Sequence, residues 1–122
     1  MFELKRKYEF HAARKLTKID TSHPCAKVHG HTFHITVTIQ DEINNKTGWV
    51  IDFYDIDQIY NQKIHSILDH SYLNDIQGLE NPTTEKLAQW IWNNLKNDLK
   101  SLHSITVSEG DNYGCTYWGG NA

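Results

Sequence analysis

Hydrophobic and polar positions alternate along residues 2–12, with Phe2, Leu4, Tyr8, Phe10 and Ala12 on one side and mostly charged residues opposite. That period of two predicts a half-buried strand. A polar stretch from Lys18 to Lys27 breaks it. Residues 31–40 alternate more cleanly, with Phe33, Ile35, Val37 and Ile39 inward and Thr32, His34, Thr36 and Thr38 outward. The run Asn44-Asn45-Lys46-Thr47-Gly48 reads as a turn, and Trp49-Val50-Ile51 as a short strand. From Asp52 the period becomes helical: Ile56, Ile59, Tyr60, Ile64, Ile67 and Leu68 share a face, and Asp52 with Asp55 can cap its start. A second helix opens at Asn81-Pro82, Asn as cap and Pro at the first helical position, and continues through Leu87, Ile91, Leu95 and Leu99. Ile105 and Val107 then alternate ahead of a Gly110-Asp111-Asn112 turn, and Cys115 to Trp118 returns as the last strand. The order ββ-αα-ββ predicts an α+β fold, an antiparallel sheet with both helices on one face.

Composition narrows the function. The 122 residues make one domain, 1–122, with 39% hydrophobic and 22% charged residues, as in an ordinary globule. A net charge of -3 argues against a nucleic-acid partner, since phosphate neutralisation wants a basic surface. No apolar run reaches the roughly 20 residues of a membrane span, so no membrane partner is expected. Cys25 and Cys115 cannot build a disulfide framework, and MFELKRKYEF contains no apolar signal segment, so the expected location is cytoplasmic. Histidine is the excess: eight, at positions 11, 23, 29, 31, 34, 65, 70 and 103. Imidazole is the commonest metal ligand and titrates near neutral pH.

Several of these residues could carry chemistry. His29 and His31 lie two apart at the start of the second strand, so both imidazoles share the face of Phe33 and Ile35. Such a pair can bind zinc, or it can be two partly buried rings bonded to backbone. Gly30 between them allows the backbone to bend. Cys25, four residues before His29, could be a thiolate base, a zinc ligand or a small packing residue. Cys115 reads as packing. Asp69-His70 offers a carboxylate to orient an imidazole, or a polar corner that ends the first helix. Glu109 falls on the inward face of Ile105 and Val107, where a carboxylate needs a partner. A planar cation or a guanidine-like ligand edge would satisfy it bidentately. Glu80 and Glu85 flank the second helix start, whose free N–H groups and Thr83 and Thr84 hydroxyls could cap the helix or hold polar ligand atoms.

The order of five segments is more specific than any one of them. They are Cys25 through His31, Gly48 through Phe53, Leu68 through Asn74, Gly78 through Glu85, and Val107 to Glu109. Together they resemble the 6-pyruvoyltetrahydropterin synthase family, above all its bacterial branch, the 6-carboxy-5,6,7,8-tetrahydropterin synthases of queuosine biosynthesis. The resemblance runs from about residue 2 to residue 119. It implies the tunnelling fold (T-fold) and a homo-oligomer, usually a hexamer of two trimers whose sheets join into a barrel, with active sites between subunits. It implies 7,8-dihydroneopterin triphosphate as substrate and a zinc-dependent carbon–oxygen lyase reaction, with loss of triphosphate and acetaldehyde. Residue by residue, His29 and His31 would hold Zn2+, Cys25 would abstract a proton, and His70, oriented by Asp69, would serve protonation on the other side. Glu109 would anchor the pterin, with Thr84 and Glu85 near the same ring.

One departure stands out. The family's first strand reads Phe-x-Ala-Ala-His, and that histidine is the third zinc ligand; here Phe10-His11-Ala12-Ala13-Arg14 places Arg14 there. Arginine stays protonated and offers no lone pair. His11 becomes the expected third ligand, which requires a bulge to re-aim it, because residues 11 and 14 of a regular strand point to opposite faces. His23 is the reserve. Failing both, metal binding is weak, or Arg14 meets the triphosphate instead. Two alternatives stay beside the carboxy-forming reaction: 6-pyruvoyltetrahydropterin synthesis, which stops at triphosphate loss, and a pterin-binding oligomer impaired in catalysis by Arg14. An aldolase-like branch replaces the cysteine with glutamate and is disfavoured by Cys25.

Overall fold

The computed structural model describes residues 1–120. Four strands, β1 (Phe2–Arg14), β2 (His29–Asp41), β3 (Leu102–Ser108) and β4 (Gly114–Tyr117), form one antiparallel sheet in the order β1-β2-β3-β4. The expected alternation holds: Phe10, Phe33, Ile35, Val37, Ile39, Ile105 and Val107 are buried together beneath the helices. Thr38 departs from it. Expected to face outward, it lies on the interior strand in register between Lys5 and Ser104 and is buried with Ser104.

The first helix begins at Phe53–Tyr60, with the Asp52 carboxylate accepting the Tyr54 N–H at 3.0 Å. It runs on through a wider π-helical stretch, Asn61–His65, and ends in Ser66–Leu68. Ile56, Tyr60, Ile64 and Leu68 are all fully buried. Strict four-residue spacing would drift around a 3.6-residue helix, and the wider turn holds it on one face. Ile67, expected inward, is therefore left exposed.

The second helix spans Thr84–Leu95, shorter at both ends than the periodicity predicts. Its cap is Thr83, whose hydroxyl accepts the Lys86 N–H at 3.1 Å. Asn81 does not cap it, because its side-chain oxygen accepts from the Thr17 amide and hydroxyl. Pro82 precedes the helix and turns its carbonyl to Arg14. Leu99 stays buried in the turns that follow Leu95. Trp49-Val50-Ile51 forms no strand: the Trp49 carbonyl accepts from the Asn44 N–H at 2.9 Å and closes its own loop. No helix among the described residues is long and apolar enough to cross a membrane.

The chain between Leu68 and Leu73 positions chemistry. His70 sits at φ 59°, a left-handed conformation uncommon outside glycine. Its N–H donates to the His11 carbonyl at 2.6 Å, the Ala13 N–H donates to the Ser71 carbonyl at 2.9 Å, and Ala13 bridges to Tyr72. Those bonds fasten the segment to the outer edge of β1.

The cap assignment has a direct check. Thr83→Ala should lower unfolding stability by about 1 kcal/mol, read by urea denaturation with helical circular dichroism; an unchanged midpoint would return the cap to Asn81.

Candidate functional site

The ends of β1 and β2 and the chain after β3 converge on one cluster. Arg14 is buried at the end of β1, on the face of Phe10 and Ala12, with its guanidinium carbon 5.1 Å from the Phe33 ring centroid. It donates to the Pro82 carbonyl at 2.9 Å and to the Glu109 carboxylate. Glu109 faces inward as the alternation predicts, and the planar cation that satisfies it comes from the chain itself. The Thr84 hydroxyl donates to its other oxygen at 2.6 Å. Burial alone would push the Glu109 carboxyl up, but the Arg14 and Thr84 hydrogen bonds and the Arg14 charge hold it below the ordinary carboxylate range.

His29 and His31 point to the same face, ring centroids 4.3 Å apart. His29 Nδ1–H donates to the Lys27 carbonyl at 2.7 Å, which leaves Nε2 with its lone pair. His31 Nε2 is buried without a hydrogen-bond partner and lies 3.7 Å from the Glu109 oxygen that Arg14 holds. Burial, with help from the Arg14 and His29 charges, keeps the His31 ring below its ordinary value despite Glu109. A cavity of about 280 Å³ is lined by Arg14, Cys25, His31, Thr84, Glu85 and Glu109 among others. Residues from five separate stretches of sequence thus meet in one place. Gly30 introduces no bend; it pairs regularly with Ala13, and a Cβ there would meet nothing within 4 Å. Cys115 packs against the core as expected.

Asp69 and His70 line up elsewhere. His70 Nδ1 is 2.7 Å from Asp69 Oδ2, while Asp69 Oδ1 accepts the His11 N–H at 3.0 Å. The His11 amide is the chief cause that holds the Asp69 carboxyl low. His65 Nε2 approaches the same carboxylate at 3.4 Å. The i,i+4 spacing of His65 and Asp69 could have flagged that contact from sequence. His70 lines a larger cavity, of about 480 Å³, with His11, Gly30 and Thr32, and it shares only His31 with the cavity of Cys25.

The expected zinc set does not come together. β1 pairs with β2 in unbroken register from Phe2 to Arg14, so no bulge turns His11 toward His29 and His31. His11 Nδ1 instead meets the Thr32 hydroxyl at 2.9 Å, and its ring centroid lies 6.2 Å from that of His70. His23 Nδ1 accepts the Cys25 N–H at 3.1 Å. Among the described residues no three His, Cys, Asp or Glu side chains stand together to hold a metal ion. A catalytic zinc takes three protein ligands. Two imidazoles with an arginine at the third position do not fit it.

The acid titration of the pair follows from its geometry. Since the folded Glu109 value lies below the unfolded 4.5, ionised Glu109 stabilises the fold fully above pH 4.5, and that contribution disappears as the pH falls through the folded value. Glu109→Gln should flatten the acid limb of stability against pH, measured by denaturant unfolding from pH 7 to 3; an unaltered slope would show that the pair is not formed.

Comparison with known proteins agrees with this arrangement. The family model for 6-pyruvoyl tetrahydropterin synthase matches residues 3–120. A Synechocystis sp. protein named 6-carboxy-5,6,7,8-tetrahydropterin synthase is 33% identical over 114 residues, covering 89% of this chain and 87% of the relative. A Pyrococcus furiosus dihydroneopterin monophosphate aldolase is 38% identical over 92 residues, covering 72% and 75%. In fold, the chain matches the Caenorhabditis elegans 6-pyruvoyl tetrahydropterin synthase with a TM-score of 0.89 at 23% identity, over 98% of this chain and 96% of the other. The shared fold is the T-fold. With nearly its whole length matched, this chain belongs to the 6-pyruvoyl tetrahydropterin synthase family.

Proposed function

We propose that the protein is a carbon–oxygen lyase acting on 7,8-dihydroneopterin triphosphate, releasing triphosphate and acetaldehyde to give 6-carboxy-5,6,7,8-tetrahydropterin, a step of queuosine biosynthesis. The observation that carries the reading is the single cavity shared by Cys25, His31, Thr84, Glu85 and Glu109. The relative from Synechocystis, matched over most of both chains, supports the choice of product.

The residues divide the work by their chemistry. Glu109 keeps two of its four lone-pair sites free after Arg14 and Thr84 are bonded, enough to accept from the N–H edge of an aminopyrimidine. Glu85, at the first turn of the second helix, closes the same side of the cavity. The thiol of Cys25 is partly accessible there and removes a proton from the ligand side chain as thiolate. His70 returns a proton, its ring fixed by Asp69. General acid–base steps of this kind typically contribute about 10²–10⁴-fold.

Cys25 and His70 line different cavities of one chain, so a site that uses both draws them from two copies. The sheet ends in strands able to accept neighbours, β1 along most of its length and β4, and exposed Phe2 and Trp118 lie on or beside those edges. Pairing through them gives the barrel-like hexamer of two trimers with active sites between subunits.

Incubation with 7,8-dihydroneopterin triphosphate should yield 6-carboxytetrahydropterin by mass spectrometry. A 6-pyruvoyl product would place the chain in the other branch, and tight binding without turnover would make it a pterin-binding protein. Cys25→Ala and His70→Ala chains should each be inactive with the fold retained, and refolding the two together should restore part of the turnover. No recovery in the mixed oligomer would sink the two-copy site.

A further inference from the structure

We infer that Arg14 stands in place of a metal cation at the His29–His31 edge, so that this chain holds no zinc there and uses the guanidinium as the fixed positive charge of the site. Arg14 lies opposite His29 in the β1–β2 register, on the side of the sheet to which both imidazoles point. Its guanidinium is locked by Glu109 and the Pro82 carbonyl. The Glu109 oxygen that Arg14 holds is also the one 3.7 Å from His31 Nε2. A dication bonded to that nitrogen would therefore stand beside a permanent cation that cannot shed its proton. The nearby carboxylate that could offset the repulsion is already committed to Arg14. No third ligand compensates, since His11 is bonded to Thr32 and the ring nitrogen of His23 nearest Cys25 is bonded to its amide.

Two unpartnered groups remain in the cavity. Arg14 Nε and His31 Nε2 are both buried without a hydrogen-bond partner, and both residues line the space that Cys25 opens onto. Buried polar groups left single are costly, so a ligand that pairs with them gains affinity. An N–H donor beside an imidazole nitrogen suits a hydroxyl or an enolate oxygen. This ligand assignment rests on the pterin reading above, whereas the exclusion of zinc does not.

Zinc binding to the purified, unliganded full-length protein separates the two. After exposure to zinc and dialysis, elemental analysis should find no retained metal in the wild type, and an equivalent of zinc in Arg14→His. Zinc titration against a chromophoric chelator should give the wild type and His31→Ala the same weak affinity, a control that stands even should Arg14→His fail to fold. An equivalent of zinc retained by the wild type and lost in His31→Ala would overturn the inference. So would a folded Arg14→His protein that stays metal-free, because Arg14 would then not be what excludes the ion. Failure of the pterin assay leaves these readouts untouched.

Discussion

A buried ion pair governs this molecule's working end. Arg14 and Glu109 are 95 residues apart in sequence, yet their side chains are almost fully shielded from water and bonded to each other. Neither charge could be buried alone, because desolvation costs several kcal/mol per ion unless partners replace the water. The pair draws three parts of the chain together: the last residue of β1, the loop after β3, and the start of the second helix through Thr84 and Pro82. The strand ends that carry the imidazoles are thereby fixed against the helix that carries Glu85. Geometry at the cavity is a consequence of that closure.

The second cluster is organised by a different constraint. Asp69 accepts a backbone N–H from β1 and orients His70, and the left-handed backbone at His70 is held by flanking hydrogen bonds to the same strand. Strained backbone of this kind persists only where the surroundings determine it, and it gathers where chemistry is done. One chain thus offers a thiol with a pterin-shaped set of polar partners on one cavity, and an oriented imidazole on another. Two copies of the chain supply a complete acid–base set. The departure at Arg14 alters the charge arrangement of the first cavity without removing its ligand-facing groups.

Much of this was legible in the chain. Period-two alternation located β1 and β2 and put His29, His31 and Glu109 on the inward face, because side-chain direction in a strand follows position alone. The same rule held the clue to the ion pair: Arg14 follows Phe10 and Ala12 at that period, so an inward cation and an inward carboxylate were both present. Their meeting is a tertiary fact that no local pattern encodes. His11 was misplaced as a ligand because the family pattern demanded a third imidazole, while the register of β1 runs unbroken and keeps it on the other face. Asn81 looked like a cap by residue type, but its oxygen is used by Thr17, and competition between partners is invisible in sequence.

The central claim is that the two charges are stable only together. A double-mutant cycle of Arg14→Met, Glu109→Leu and the combined variant, followed by equilibrium urea unfolding at neutral pH, tests it most directly. Each single change should cost about 3–5 kcal/mol, because it strands a buried charge, and the double variant should lose less than either. Losses that simply add would show two independent residues and no governing pair.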